Sequence, residues 1–139
     1  MTGPPPDRPY PAEQQTESRP VLANISRRIV QLHKEFYGKG PTKAKTYVLD
    51  DVVVVLMRGG FTRVEETLLQ SGRGESVKQQ RADFHQAMRE PFKQVIEEET
   101  GREVIAFMSG SHQHPDLLGE IFVLEEAEVL LDDPGQDQI

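Results

Sequence analysis

The distribution of apolar residues predicts an α+β fold in two layers, with helices packed on one face of a four-stranded, mainly antiparallel sheet. Three observations carry this prediction. Apolar residues recur at helical spacing ahead of Gly38 and again ahead of Gly101. Two pairs of short runs rich in β-branched and aromatic residues follow, one pair after each glycine. The resulting order, α-β-β-α-α-β-β, is a mixed pattern that packs helices against an antiparallel sheet.

The first helix is expected from Val21 to Tyr37. Leu22, Ile25, Ile29, Leu32, His33 and Phe36 fall on one face, Arg27, Arg28 and Lys34 fall on the other, and Gly38 ends it. Lys45 to Leu49 and Val52 to Met57 then read as a hairpin turning at Asp50-Asp51. The second of these strands is apolar at every position. That pattern predicts burial on both faces, under helices on one side and under further protein on the other.

Thr62 and Glu65 have the spacing of a capping box, which starts a short helix from Arg63 to Gln70. Ser76 and Gln79 repeat that spacing before a longer helix. Val77, Phe84, Met88, Phe92, Val95 and Ile96 form its apolar stripe down to Gly101, and Pro91 must kink or split it. Glu103 to Met108 and Leu118 to Leu124 form the second strand pair, joined through Gly110, Pro115 and Asp116. Each long helix ends at a glycine and leads into two strands, which suggests two pseudo-symmetric αββ halves.

Composition places this single domain between two tails. Residues 1–20 form a Pro-rich arm and residues 126–139 an acidic tail, both too poor in apolar surface to offset the entropy of ordering. The domain itself spans residues 21–125. Cysteine is absent, which removes thiol catalysis, disulfides and iron–sulfur clusters and fits a cytoplasmic location. The longest apolar run, Val52 to Met57, is far short of the roughly 18 residues that cross a bilayer, so no direct membrane insertion is expected. A net charge of −7 repels phosphate backbones and makes nucleic acid a poor partner.

Four segments together resemble the MpsC-like family: Leu22 to Arg27 (LANISR), Tyr37 to Lys45 (YGKGPTKAK), Thr100 to Phe107 (TGREVIAF) and Glu120 to Leu124 (EIFVL). The resemblance covers roughly Val21 to Glu125. The glycine–proline–threonine segment and the strand ending in Phe-Val-Leu are its most specific parts. The family is a bacterial group of small domains named for a component of a sodium-translocating, membrane-potential-generating system, so the resemblance implies association with transport rather than a particular catalytic act. Where family members tend to place an aspartate ahead of a Pro-Asp pair, this chain has His114-Pro115-Asp116.

Two segments carry candidate binding chemistry. In the first, Gly38, Lys39, Gly40, Thr42, Lys43 and Lys45 could cradle an anion, since glycines free backbone amides to converge and lysines supply charge. The spacing is not that of a Walker loop, and the same letters describe a helix C-cap followed by a rigid Pro turn. In the second, His112 and His114 lie two apart in an extended segment, and Asp116 could add an oxygen ligand for zinc or a similar ion. A third or fourth ligand would have to come from elsewhere, His85 among the options. His33 and His85 also fit partly buried boundary positions.

Ser109 and Ser111 stand near His112, but the sequence arranges neither an orienting group nor an oxyanion hole around them. No catalytic residue and no cofactor is therefore assigned. The expected role is a non-enzymatic accessory or regulatory binding domain, a homo-oligomer and in the simplest case a dimer, docked peripherally on a membrane transport complex. The alternative is a sensor or enzyme for a small anionic ligand built on the segment from Gly38 to Lys45.

Overall fold

Helix α1 (Arg19–Tyr37) begins earlier than its apolar periodicity requires because Ser18 caps it, its hydroxyl accepting from the Val21 amide. Pro20 fits the first turn, where its missing N–H would have had no helical partner. The computed structural model describes residues 15–126; the expectations for the arm before residue 15 and for the tail after residue 126 fall outside them. Gly38 ends α1 in the left-handed region at φ 92°, and Gly101 does the same for the last helix at φ 72°.

Strands β1 (Lys43–Leu49) and β2 (Val52–Arg58) form the expected hairpin, turning at Asp50-Asp51 with Asp50 at φ 53°. A short polar side chain makes that conformation tolerable. Thr62 and Glu65 form the expected capping box at the start of α2 (Arg63–Gln70). The long helix after it is two helices, α3 (Gly74–Ala87) and α4 (Arg89–Thr100), so the order gains a helix: α-β-β-α-α-α-β-β. Pro91 causes the division. Its ring would strike the carbonyl four residues back, at Ala87, so the chain departs from helix at Met88 and Pro91 joins the first turn of α4. Helix α3 starts at Gly74 without a side-chain cap, so the Ser76–Gln79 spacing does not act as a capping box.

Strands β3 (Val104–His112) and β4 (Leu117–Leu124) complete a four-stranded sheet in the order β1-β2-β4-β3, antiparallel throughout. Alternation sorts its residues cleanly. Val48, Val53, Val55, Met57, Leu118, Phe122 and Leu124 point to the helices and meet Ile25 and Ile29 of α1, Phe92, Val95 and Ile96 of α4, and Met88. Gln15 and Thr16 lie along the free edge of β1, where Thr16 N–H donates to the Val48 carbonyl and the Gln15 side chain accepts from the Val48 amide. That contact blunts an edge open to further strand pairing.

Candidate functional site

The residues of the two predicted segments are held mostly by local contacts. Gly38 serves as the α1 C-cap; Thr42 spends both its amide and its hydroxyl on the Arg58 carbonyl, at 2.8 and 3.0 Å. Lys39 reaches the Phe61 carbonyl at 3.1 Å. Lys43 and Lys45 point to the outer face of the sheet, Lys45 with its ammonium 5.4 Å from the centre of the Tyr47 ring. Gly40 packs against α1 so closely that an added Cβ would lie 2.6 Å from Lys34 Cγ.

In the β3–β4 connection, His112 Nδ1 bonds the Pro115 carbonyl at 2.8 Å, and His114 is exposed. Asp116 turns the other way, under the sheet rim. Its carboxylate accepts from Arg81 Nη1 at 2.8 Å and from the Phe61 amide at 3.2 Å. The structure therefore separates Asp116 from the two histidines and joins it to a buried polar network between α1, α2, α3 and β4.

Arg81 is the hub of that network. Its guanidinium is buried, bonds Glu65 through Nε and Nη2 at 3.0 and 3.3 Å, and lies 4.2 Å from the centre of the Phe61 ring. Tyr37 donates to the same Glu65 carboxylate, which also holds the capping bond from the Thr62 amide. Burial alone would raise the Glu65 pKa, but Arg81, Tyr37 and Thr62 outweigh it and leave the carboxyl below its ordinary value. Burial, reinforced by the Glu65 charge, pushes the Tyr37 phenol up to about 12.

Deeper in the core, His33 from α1, His85 from α3 and Glu120 from β4 meet. All three are buried, and a nitrogen or carboxylate oxygen from each lies within 4.8 Å of the others. His33 Nδ1 sits 2.9 Å from the Ile29 carbonyl, which can only accept, so the proton is on Nδ1 and Nε2 carries the lone pair. That Nε2 is 3.3 Å from His85 Nε2, which lies 3.5 Å from Glu120 Oε1. Among the described residues both Glu120 oxygens are buried without a hydrogen-bond partner. Burial holds the Glu120 pKa well above its ordinary value and lowers that of His33, and burial with the charges of His33 and Arg81 takes His85 down to about 3. Beside the two histidines is a cavity of about 10 Å³, room for one water-sized group, also lined by Tyr37, Lys39, Arg81 and Phe84.

Reading the sequence placed His33 and His85 near the core but missed Glu120. The signal was the alternation of β4, in which Leu118, Phe122 and Leu124 share one face and Glu120 falls in phase with them.

The opposite face of the sheet is a second feature. Its outward positions carry Tyr47 and Leu49 on β1, Val52, Val54 and Leu56 on β2, and Ile121 and Val123 on β4, with Met108 on β3, and no described helix covers them. Leu49, Val52, Met108 and Ile121 are exposed. The apolar run of β2 from Val52 to Met57 thus has one face in the core and one face open.

No solved structure matches. The protein "Uncharacterized protein YbcI" of Bacillus subtilis (strain 168) is 33% identical over 88 residues, which cover 63% of this chain and 71% of that protein. The family described as "Na+-translocating membrane potential-generating system (MpsC)" matches residues 18–126, from the cap of α1 to just past the end of β4. A match over the whole helix-and-sheet unit places this chain in the MpsC family.

Proposed function

We propose that this chain is a non-enzymatic accessory domain of the membrane-potential-generating system for which its family is named, and that it acts as a homodimer joined through the outer face of the sheet. The observation that carries the reading is the continuous apolar outer surface of β1, β2 and β4, left without a helix. A second copy of the chain suits it best. The face is apolar except for Lys43, Lys45 and Arg58 at one end, and Asp and Glu are absent from its outward strand positions, so two copies meet without buried carboxylates. Four strands about 4.8 Å apart and about seven residues long give a footprint of roughly 20 by 24 Å. Two such faces in contact remove roughly 1,000 Å² from water, about the least a specific interface needs.

Native mass spectrometry of the purified chain tests the proposal. The expected species is a dimer that becomes a monomer in the Val54→Lys variant while its far-ultraviolet dichroism stays unchanged. Lys39→Ala, away from the face, leaves the dimer intact. A wild-type chain that is monomeric at micromolar concentration refutes the dimer. The transport role has its own test: cells lacking the chain should show a reduced sodium-dependent membrane potential with a voltage-sensitive dye, and an unchanged potential refutes it.

A further inference from the structure

We propose that His33, His85 and Glu120 form a binding site for one divalent transition-metal ion of the zinc class. Three arguments support it, all of them geometric. The donor set is two imidazoles and one carboxylate, which suits zinc and its neighbours better than calcium or magnesium, whose ligands are oxygens. The spacing fits as well. Bonds of about 2.0–2.1 Å at tetrahedral angles put neighbouring ligand atoms roughly 3.3–3.4 Å apart; the two Nε2 atoms are separated by 3.3 Å, His85 Nε2 and Glu120 Oε1 by 3.5 Å, and all three ligand atoms lie within 4.8 Å of one another. The outer partner is also in place, because the bond from His33 Nδ1 to the Ile29 carbonyl fixes the tautomer that leaves Nε2 free to coordinate.

What the protein itself leaves unexplained is Glu120. A buried carboxyl group whose oxygens both lack a hydrogen-bond partner among the described residues is costly, and His85 Nε2, 3.5 Å from Oε1, directs its proton at His33 if the two histidines bond each other. A cation at the centre of the three gives the carboxylate its counter-charge and replaces the histidine–histidine contact with two metal–nitrogen bonds, His85 then carrying its proton on Nδ1. The protein supplies three ligands, and the cavity beside the histidines has room for one water as the fourth.

The site draws one residue each from α1, α3 and β4, so an ion there would tie both helices to the sheet. The experiment uses the full chain stripped with a chelator and then titrated with Zn²⁺ alone by calorimetry. One Zn²⁺ per chain is expected, together with a rise in melting temperature. Glu120→Gln and His85→Gln should each weaken binding by more than the roughly 10–100-fold that loss of an outer-shell partner costs. Because either variant could disturb the core, imidazole nitrogen NMR of the wild-type chain supplies a reading that needs no substitution: Zn²⁺ should move the His33 and His85 signals and leave those of His112 and His114 in place. A folded wild-type chain that takes up no Zn²⁺ overturns the proposal. So does binding that moves only His112 and His114, or that survives Glu120→Gln and His85→Gln unchanged.

Discussion

The Arg81–Glu65 pair shows how much one buried residue can decide. Glu65 serves at once as the carboxylate of the α2 capping box, the acceptor for Tyr37 and the counter-charge of Arg81. Arg81→Met would leave that carboxylate buried with its strongest partner gone, and a loss of about 3–5 kcal/mol is expected in urea unfolding at pH 7. Glu65→Gln in the same background should recover part of it, since the stranded charge is then removed. The pair also has a pH signature. Because the folded-state pKa of Glu65 lies below its ordinary value of 4.5, its contribution is complete above that value and is lost as pH falls through the folded one. Wild-type stability should therefore fall more steeply than that of Glu65→Gln as the pH drops below 4.5, and equal slopes would refute the assignment. Half of this residue was legible in the sequence: Thr62 and Glu65 announce a capping box by spacing alone. Arg81 was not, because a salt bridge across sixteen residues leaves no periodic trace. Glu120 lay between these cases, in phase with the core residues of β4 but read only as part of a strand and of a family-like segment.

At the scale of elements, local signals located nearly every helix and strand, and the exceptions have local causes. The 3.6-residue stripe from Leu22 to Phe36 and the runs around Val48 and Val55 needed no tertiary information. Pro91 announced a break but not its position, which depends on the ring meeting the carbonyl of Ala87 and so falls at Met88. The extension of β3 to His112 came from pairing with β4, a long-range effect invisible in a segment containing Ser109, Gly110 and Ser111. Glycines rank by the same physics. Gly101 is a left-handed C-cap with open space where a Cβ would go, so Gly101→Ala should cost about 1 kcal/mol for its φ of 72° alone. Gly60 has φ 101°, and an added Cβ would lie 3.1 Å from the Pro41 Cα. Gly60→Ala should therefore lower the melting temperature more than Gly101→Ala. The reverse order would show that the contact between the turn after β2 and the Pro41 segment yields easily.

For the whole molecule, the sheet has one face covered by helices and one face left open by the described residues. Its inner face holds the core and a buried polar network; its outer face is apolar, with Lys43, Lys45 and Arg58 at one end, on a chain whose net charge is −7. The unbroken apolar run from Val52 to Met57 predicts burial of β2 on both faces; within the described residues only its inner face is covered. If the outer face is covered by a second copy, folding and association are linked, and stability becomes a function of protein concentration. A tenfold increase adds about 1.4 kcal/mol per dimer, since it is one decade of an association equilibrium. For two copies of a domain this size that corresponds to roughly 3–5 °C in the midpoint. Differential scanning calorimetry at about 5 and 50 μM should show this rise for the wild-type chain and none for Ile121→Lys, whose charge on the outer face opposes pairing without entering the core. A midpoint that stays fixed over that range, with the wild-type chain shown to be folded, would mean that the apolar face is not covered by another copy of this chain.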